Sequence, residues 1–147
     1  MGATKTKASK TGSLYTPEER RRRDESAWTV VQGILAPLQF LVFLVSLGLV
    51  VHYLVTGSGL LAATASVVLK TLILYTIMVT GAIWEKVVFG QYLFAPAFFW
   101  EDVVSMGVIA LHTAYMACWL LGIGTPEQQL WIALAAYATY VINAAQF

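Results

Sequence analysis

Apolar positions along this chain fall into four long runs, and polar positions gather at one end and in three short gaps. The first run, Gly33 to Val55, carries no charge, and the second, Leu60 to about Trp84, is interrupted only by Lys70. The third spans Val103 to Leu121 and the fourth Leu130 to Phe147. Runs of about 20 apolar residues predict helices that cross a bilayer. Thr56-Gly57-Ser58-Gly59 predicts a tight polar turn, and Gly122-Ile123-Gly124 ends the third helix. Thr125-Pro126-Glu127-Gln128 has the grammar of a helix start: a capping threonine, then proline in the first turn. The same grammar at Thr16-Pro17-Glu18-Glu19 predicts a short charged surface helix leading to Trp28, an interfacial anchor. The expected fold is an all-α polytopic membrane protein with about four transmembrane helices. A short aromatic interfacial or re-entrant segment should lie between helices two and three. Residues 1–29 form a basic cytoplasmic tail that includes the surface helix, and residues 30–147 a four-helix transmembrane domain.

Composition narrows the class. Of 147 residues, 59% are hydrophobic and 12% charged, half the charge of a soluble domain. That excludes a water-soluble globule, a disordered tail and a nucleic-acid module. The net charge of +1 says little, but its distribution matters: Lys5, Lys7, Lys10 and Arg20 to Arg23 are seven of the nine basic residues. The positive-inside rule then puts the N-terminus, the 85–102 region and the C-terminus in the cytoplasm. Residues 1–13 cannot bury enough surface to fold, and they lack the apolar region of a signal peptide. Met-Gly-Ala-Thr-Lys-Thr matches the short, degenerate myristoylation pattern around Gly2. The single Cys118 lies in an apolar run, which excludes disulfide frameworks and cysteine metal sites.

Ionisable residues in or beside membrane segments are costly and therefore candidates for function: His52, Lys70, Glu85, Lys86, Glu101, Asp102 and His112. Glu85-Lys86 and Glu101-Asp102 bracket fourteen residues, too few for a span, of which six are aromatic: Phe89, Tyr92, Phe94, Phe98, Phe99 and Trp100. Gly90 and Pro96 argue against one uninterrupted helix there. One reading is a cytoplasmic connector with ordinary helix-end charges. The sharper reading is an aromatic-walled pocket with three carboxylates at its mouth, suited to a large flat ligand that partitions into the membrane. Glu101, Ser105, Val108, His112 and Tyr115 share a helical stripe, with Glu101 and His112 about 16 Å apart. His112 either joins this site or hydrogen-bonds a neighbouring helix. Lys70 is either a snorkelling residue or an ion-pair partner, and His52 reads as interfacial. Gln32, Gln39 and Ser46 in span one, and Thr139, Asn143 and Gln146 in span four, form polar stripes that either pack the bundle or line the pocket. No phosphate loop, metal-ligand spacing or nucleophile elbow is present.

Three stretches of residues then resemble a known family. They are Leu14-Tyr-Thr-Pro-Glu-Glu-Arg-Arg-Arg-Arg-Asp24, Trp28 to Phe43, and Thr80 through Trp-Glu-Lys-Val-Val-Phe-Gly-Gln-Tyr-Leu-Phe-Ala-Pro-Ala-Phe-Phe-Trp to Asp102. Together with Ala136 to Phe147, they resemble the 3-vinyl bacteriochlorophyllide hydratases, also called 2-vinyl bacteriochlorophyllide hydratases. The family pattern leads one to expect a few more polar residues after Phe147. The resemblance implies a lyase of bacteriochlorophyll biosynthesis that adds water to the 3-vinyl group of chlorophyllide a or 3-vinyl bacteriochlorophyllide a. It places the protein in the cell inner membrane or an intracytoplasmic photosynthetic membrane, with a chlorophyllide-type pigment and the lipid membrane as partners, no nucleic acid and no cofactor. It is compatible with a homo-oligomer or with contact to neighbouring pigment-synthesis enzymes. Such a hydration needs a general acid at the terminal vinyl carbon and a base-oriented water. Glu85, at the membrane boundary, is the candidate acid. Glu101 or Asp102 would orient the water and stabilise the cation, and Lys86 or a tail arginine would hold the propionate. His112 is the alternative acid or a ligand to the substrate magnesium. Phe89, Tyr92, Phe94, Phe98, Phe99, Trp100 and Asn143 are the candidate pigment contacts. The competing classes are a non-catalytic pigment-binding or assembly protein, with His52 and His112 as axial ligands, and a small transporter gated by Glu85 or Lys70.

Overall fold

A computed structural model describes residues 14–146. The lysines of the tail, Gly2 and Phe147 lie outside the described residues. The described chain is helical: α1 (Pro17–Glu25), α2 (Ala27–Thr56), α3 (Leu60–Phe89), a 3-10 turn (Pro96–Phe98), α4 (Phe99–Leu121) and α5 (Pro126–Gln146). Local chemistry sets the ends. Thr16 Oγ1 accepts from the Glu19 N–H at 3.1 Å while Glu19 Oε1 accepts from the Thr16 N–H at 2.9 Å, so the expected capping box opens α1. Thr125 and Gln128 repeat it before α5. Gly57, Gly90 and Gly122 close α2, α3 and α4 in the left-handed conformation that glycine takes without a steric cost.

Among the described residues three helices are long and apolar enough to cross a membrane: α2, α3 and α4 with its preceding turn. The sequence count of four includes α5, whose polar first turn, Glu127-Gln128-Gln129, dilutes a run of only 21 residues. The helices also run longer than the apolar runs. Helix α2 begins six residues before Gly33 and continues through Pro37. Helix α3 continues past Trp84 to Phe89, which puts Glu85 and Lys86 in its last turns, at a helix end.

The helices pack as two antiparallel hairpins, α2–α3 and α4–α5, which meet less extensively than each hairpin packs within itself. At the end near the turns 56–59 and 122–125 the hairpins close on a core that includes Val50, Val67, Leu130, Ala133 and Tyr137. At the other end they diverge. There α1 docks on the end of α3: Arg22 Nε and Nη2 donate to the Val88 carbonyl at 3.0 and 2.6 Å, and Tyr15 stacks on Phe89. A guanidinium at a helix C-terminus meets both the orphan carbonyls and the negative end of the dipole. On the solvent face of α1, Arg21 pairs with Glu18 and Glu25, and the Arg21 hydrogen bond holds the Glu18 carboxyl below its ordinary range.

Candidate active site

Where the hairpins diverge they enclose a cavity of about 460 Å³. Helix α2 contributes Gln32, Ala36, Gln39 and Phe40; α3 contributes Leu74, Met78, Trp84 and Glu85 among others. The far wall is Asp102 and Ser105 of α4 with Tyr140 and Asn143 of α5. Tyr15, just ahead of α1, completes one end. Ala36, Phe40 and Ala144 both line the cavity and are exposed, so its rim reaches the surface between α2 and α5.

Two carboxyls define one pole of this space. Glu85 is 5% exposed and Asp102 6%, and the two side chains are hydrogen-bonding neighbours. The chain between them folds back so that consecutive backbone amides are spent on them. Phe94 N–H donates to Asp102 Oδ2 at 2.9 Å, and Ala95 N–H donates to Glu85 Oε2 at 3.0 Å. Phe94 achieves this at φ 61°, a conformation that costs a non-glycine residue about 1 kcal/mol or more. Each carboxyl is thus held by one backbone amide, and the two side chains also meet each other.

Asn143 ties α5 to this wall: its Nδ2 donates to the Glu101 carbonyl at 2.9 Å, and its Oδ1 accepts from Ser105 at 3.0 Å. Gln32 Nε2 donates to Thr80 Oγ1 at 2.7 Å on the opposite wall. Trp84 stands edge-on to Phe89 and anchors its Nε1–H on Thr29 Oγ1 at 2.9 Å.

Of the residues named from sequence as catalytic or pigment-contact candidates, four line the cavity: Glu85, Asp102, Phe98 and Asn143. The others lie elsewhere. Glu101 enters through its backbone carbonyl, and the buried stripe of α4 starts at Asp102, continuing through Ser105, Val108, His112 and Tyr115. Lys86 is exposed, donates to the Gly90 carbonyl at 3.1 Å and sits over the Tyr92 ring. Tyr92, Phe99 and Trp100 face outward, while Phe89 and Phe94 are half-buried and pack beside the cavity wall. The aromatic segment thus contributes Leu93 and Phe98 to the lining.

His112 is buried away from the lining. Its Nδ1 lies 2.8 Å from the Val108 carbonyl and so carries the proton, which leaves Nε2 as the acceptor for Lys70 at 3.2 Å. That contact joins α4 to α3, the neighbouring-helix alternative for His112. Lys70 turns inward to Gln39, His112 and the rings of Tyr140 and Tyr137 rather than snorkelling, and among the described residues it pairs with no acid. His52 is exposed near the far end of α2. Among the described residues no three of His, Cys, Asp and Glu converge as metal ligands.

Other lining residues were left undecided or missed by the sequence reading. Gln32 and Gln39 carried a signal, their seven-residue spacing, that did not decide between seam and pocket. Tyr15 carried none, because its place depends on α1 docking against α3.

Comparison with known proteins gives a consistent result. A family model described as 2-vinyl bacteriochlorophyllide hydratase matches residues 15–147. A curated protein of that name from Cereibacter sphaeroides is 74% identical over 135 residues, covering 91% of this chain and 83% of its own. A second, from Rhodobacter capsulatus, is 73% identical over 136 residues, covering 92% of this chain and 78% of its own. No solved structure matches.

Proposed function

This chain belongs to the 2-vinyl bacteriochlorophyllide hydratase family, and from that premise we propose that its cavity hydrates the 3-vinyl group of chlorophyllide a, or of 3-vinyl bacteriochlorophyllide a, to a 1-hydroxyethyl group. The protein is a hydratase of bacteriochlorophyll biosynthesis, a hydro-lyase, carried on apolar membrane helices. The observation that carries the finer reading is the pair Glu85 and Asp102, adjacent and buried in a largely apolar cavity of which they are the only acidic lining residues among those described.

Addition of water to a vinyl group begins with a proton. Glu85, in its acid form, gives a proton to the terminal vinyl carbon. The cation develops on the carbon beside the ring, where the macrocycle delocalises it and the Asp102 carboxylate stabilises it. Water attacks that carbon, and Asp102 takes the proton that the water loses. The proton then passes across the contact between the two carboxyls back to Glu85. One water is consumed, no oxidant or reductant takes part, and the pair returns to its starting state. Asp102 serves better than Glu101 in this role because its side chain lines the cavity.

The same reading makes α5 the fourth span and places both termini in the cytoplasm. In support, α5 packs antiparallel to α4, and Trp131, Val141 and Ile142 on its outer face are exposed. The cavity then lies at the cytoplasmic side, with a rim between α2 and α5 that a membrane-dissolved pigment reaches without leaving the bilayer.

The test is direct. Membranes containing the chain are incubated with chlorophyllide a in isotopically labelled water, and the pigments are analysed by mass spectrometry. A product heavier by one labelled water is expected. Pigment that stays bound in stoichiometric amount and unchanged would replace hydration with the non-catalytic pigment-binding reading.

A further inference from the structure

The inner end of the cavity is built from groups that the hydration does not use. Gln39 is 4% exposed and lines the cavity, and its Oε1 accepts from Lys70 Nζ at 3.4 Å. A lysine ammonium offers donors only, so the amide oxygen faces it and the NH2 group points away. Among the described residues this NH2 has no hydrogen-bond partner, and no unpartnered side-chain nitrogen or oxygen is sealed inside the protein. The NH2 therefore opens on the cavity.

Behind Gln39, Lys70 is completely buried. Its three N–H groups are taken by Gln39 Oε1, by His112 Nε2 at 3.2 Å, and by the face of Tyr140, whose centroid is 3.8 Å away. Among the described residues no carboxylate pairs with it. A buried cation without a counter-anion, fronted by an N–H donor that faces open space, favours an anion at that spot. The opposite pole, Glu85 with Asp102, repels one. Lys70 and Glu85 are fifteen residues apart on α3, about 22 Å of helix rise. Gln39 and Glu85 nevertheless line the one cavity, so a single ligand meets the two poles with different edges.

We infer that the cavity admits its pigment in one orientation, with the side-chain carboxylate of the chlorophyllide on the Gln39 NH2, the Lys70 charge behind it, and the vinyl group between Glu85 and Asp102. The inference rests on the reading of a vinyl chlorophyllide as substrate. It moves the carboxylate contact from Lys86, which lies outside the cavity, to Gln39. Gln39 touches the substrate. Lys70 is a positioning residue that acts through the Gln39 amide, and His112 holds Lys70 in turn.

A neutral carbonyl on the macrocycle rim would use the same N–H without needing the charge, so the test varies the charge alone. The full-length protein in lipid nanodiscs is titrated with chlorophyllide a and with its methyl ester. Binding is read by fluorescence quenching, and hydration in parallel by mass spectrometry. The wild type is expected to bind the acid about tenfold or more tightly than the ester, the size of a hydrogen bond to a charged group. Gln39→Glu keeps the oxygen that Lys70 holds and gives that lysine a counter-charge, so the fold is retained. It replaces the donor by an acceptor, and the preference for the acid should vanish or invert. Lys70→Met should reduce the preference as well. The acid-to-ester ratio within each variant does not depend on how much of the sample is folded. Equal binding of acid and ester by the wild type overturns the inference in favour of the neutral carbonyl, and a preference that survives Gln39→Glu overturns it outright. A wild type that prefers the acid but forms no water adduct instead overturns the hydration, and leaves the orientation standing.

Discussion

The two ends of the helical body use similar polar residues to opposite effect. At the closed end Ser46 bonds both Ser66 at 2.8 Å and the Tyr137 hydroxyl at 2.6 Å, and small residues such as Ala63, Ala133 and Ala136 let the helices approach. The Ser46 hydroxyl is answered there by two other helices. At the open end Glu85 and Asp102 are held on the Ala95 and Phe94 amides and on each other, while Gln39 is held on Lys70 through its oxygen and presents its NH2 without a partner among the described residues. An unanswered polar atom costs several kcal/mol in an apolar medium. It persists only where water or a ligand reaches it. The difference separates a seam from a site more sharply than residue type does.

Substitutions at the two ends should diverge accordingly. The largest effect belongs to Glu85→Gln, which keeps the Ala95 contact but removes the proposed acid. Turnover should fall by about 10²–10⁴-fold while fluorescence still reports bound pigment. Retained turnover would take the acid role away from Glu85. Asp102→Asn preserves an acceptor for Phe94 and loses the proposed base, so a fall of about 10²-fold is expected in the same assay. Arg22→Ala touches neither carboxyl. It removes the cap on α3, costs about 1 kcal/mol of local stability, and loosens Tyr15. Limited proteolysis should then cut between residues 14 and 26 more readily, with a higher KM and little change in kcat. At the closed end Tyr137→Phe should lower unfolding stability in detergent by about 1 kcal/mol and leave turnover intact. A loss of activity there would erase the contrast between the two ends. Glu101→Gln should have the smallest effect, with turnover close to wild type, because the side chain next door to Asp102 does not line the cavity.

The legibility of these features tracks the range of the interactions behind them. Both capping boxes, the glycine stops and the helices between them were readable, because each depends on residues three or four apart. The buried stripe of α4 was readable from its period, with Ser105, Val108, His112 and Tyr115 all on it; only its first member differs, Asp102 in place of Glu101, since a single position rotates a helix by about 100°. The aromatic run pointed to the right neighbourhood and the wrong lining. Phe98 turns in, while Tyr92 and Trp100 turn out, a choice made by the fold-back at Phe94 and not by aromatic character.

By itself, the sequence determined that this chain is helical, apolar enough for a membrane, and concentrated in chemistry around residues 85–102, because periodicity, charge scarcity and capping are local properties. Its long motifs also carried the family resemblance. Only the tertiary structure decided that Glu85 meets Asp102, that Lys70 turns inward to Gln39 and His112, and that Tyr15 closes the cavity. Those contacts join residues 17 to more than 60 positions apart on helices whose rotation and approach are set by packing. No spacing along the chain encodes where two such faces come to rest against each other.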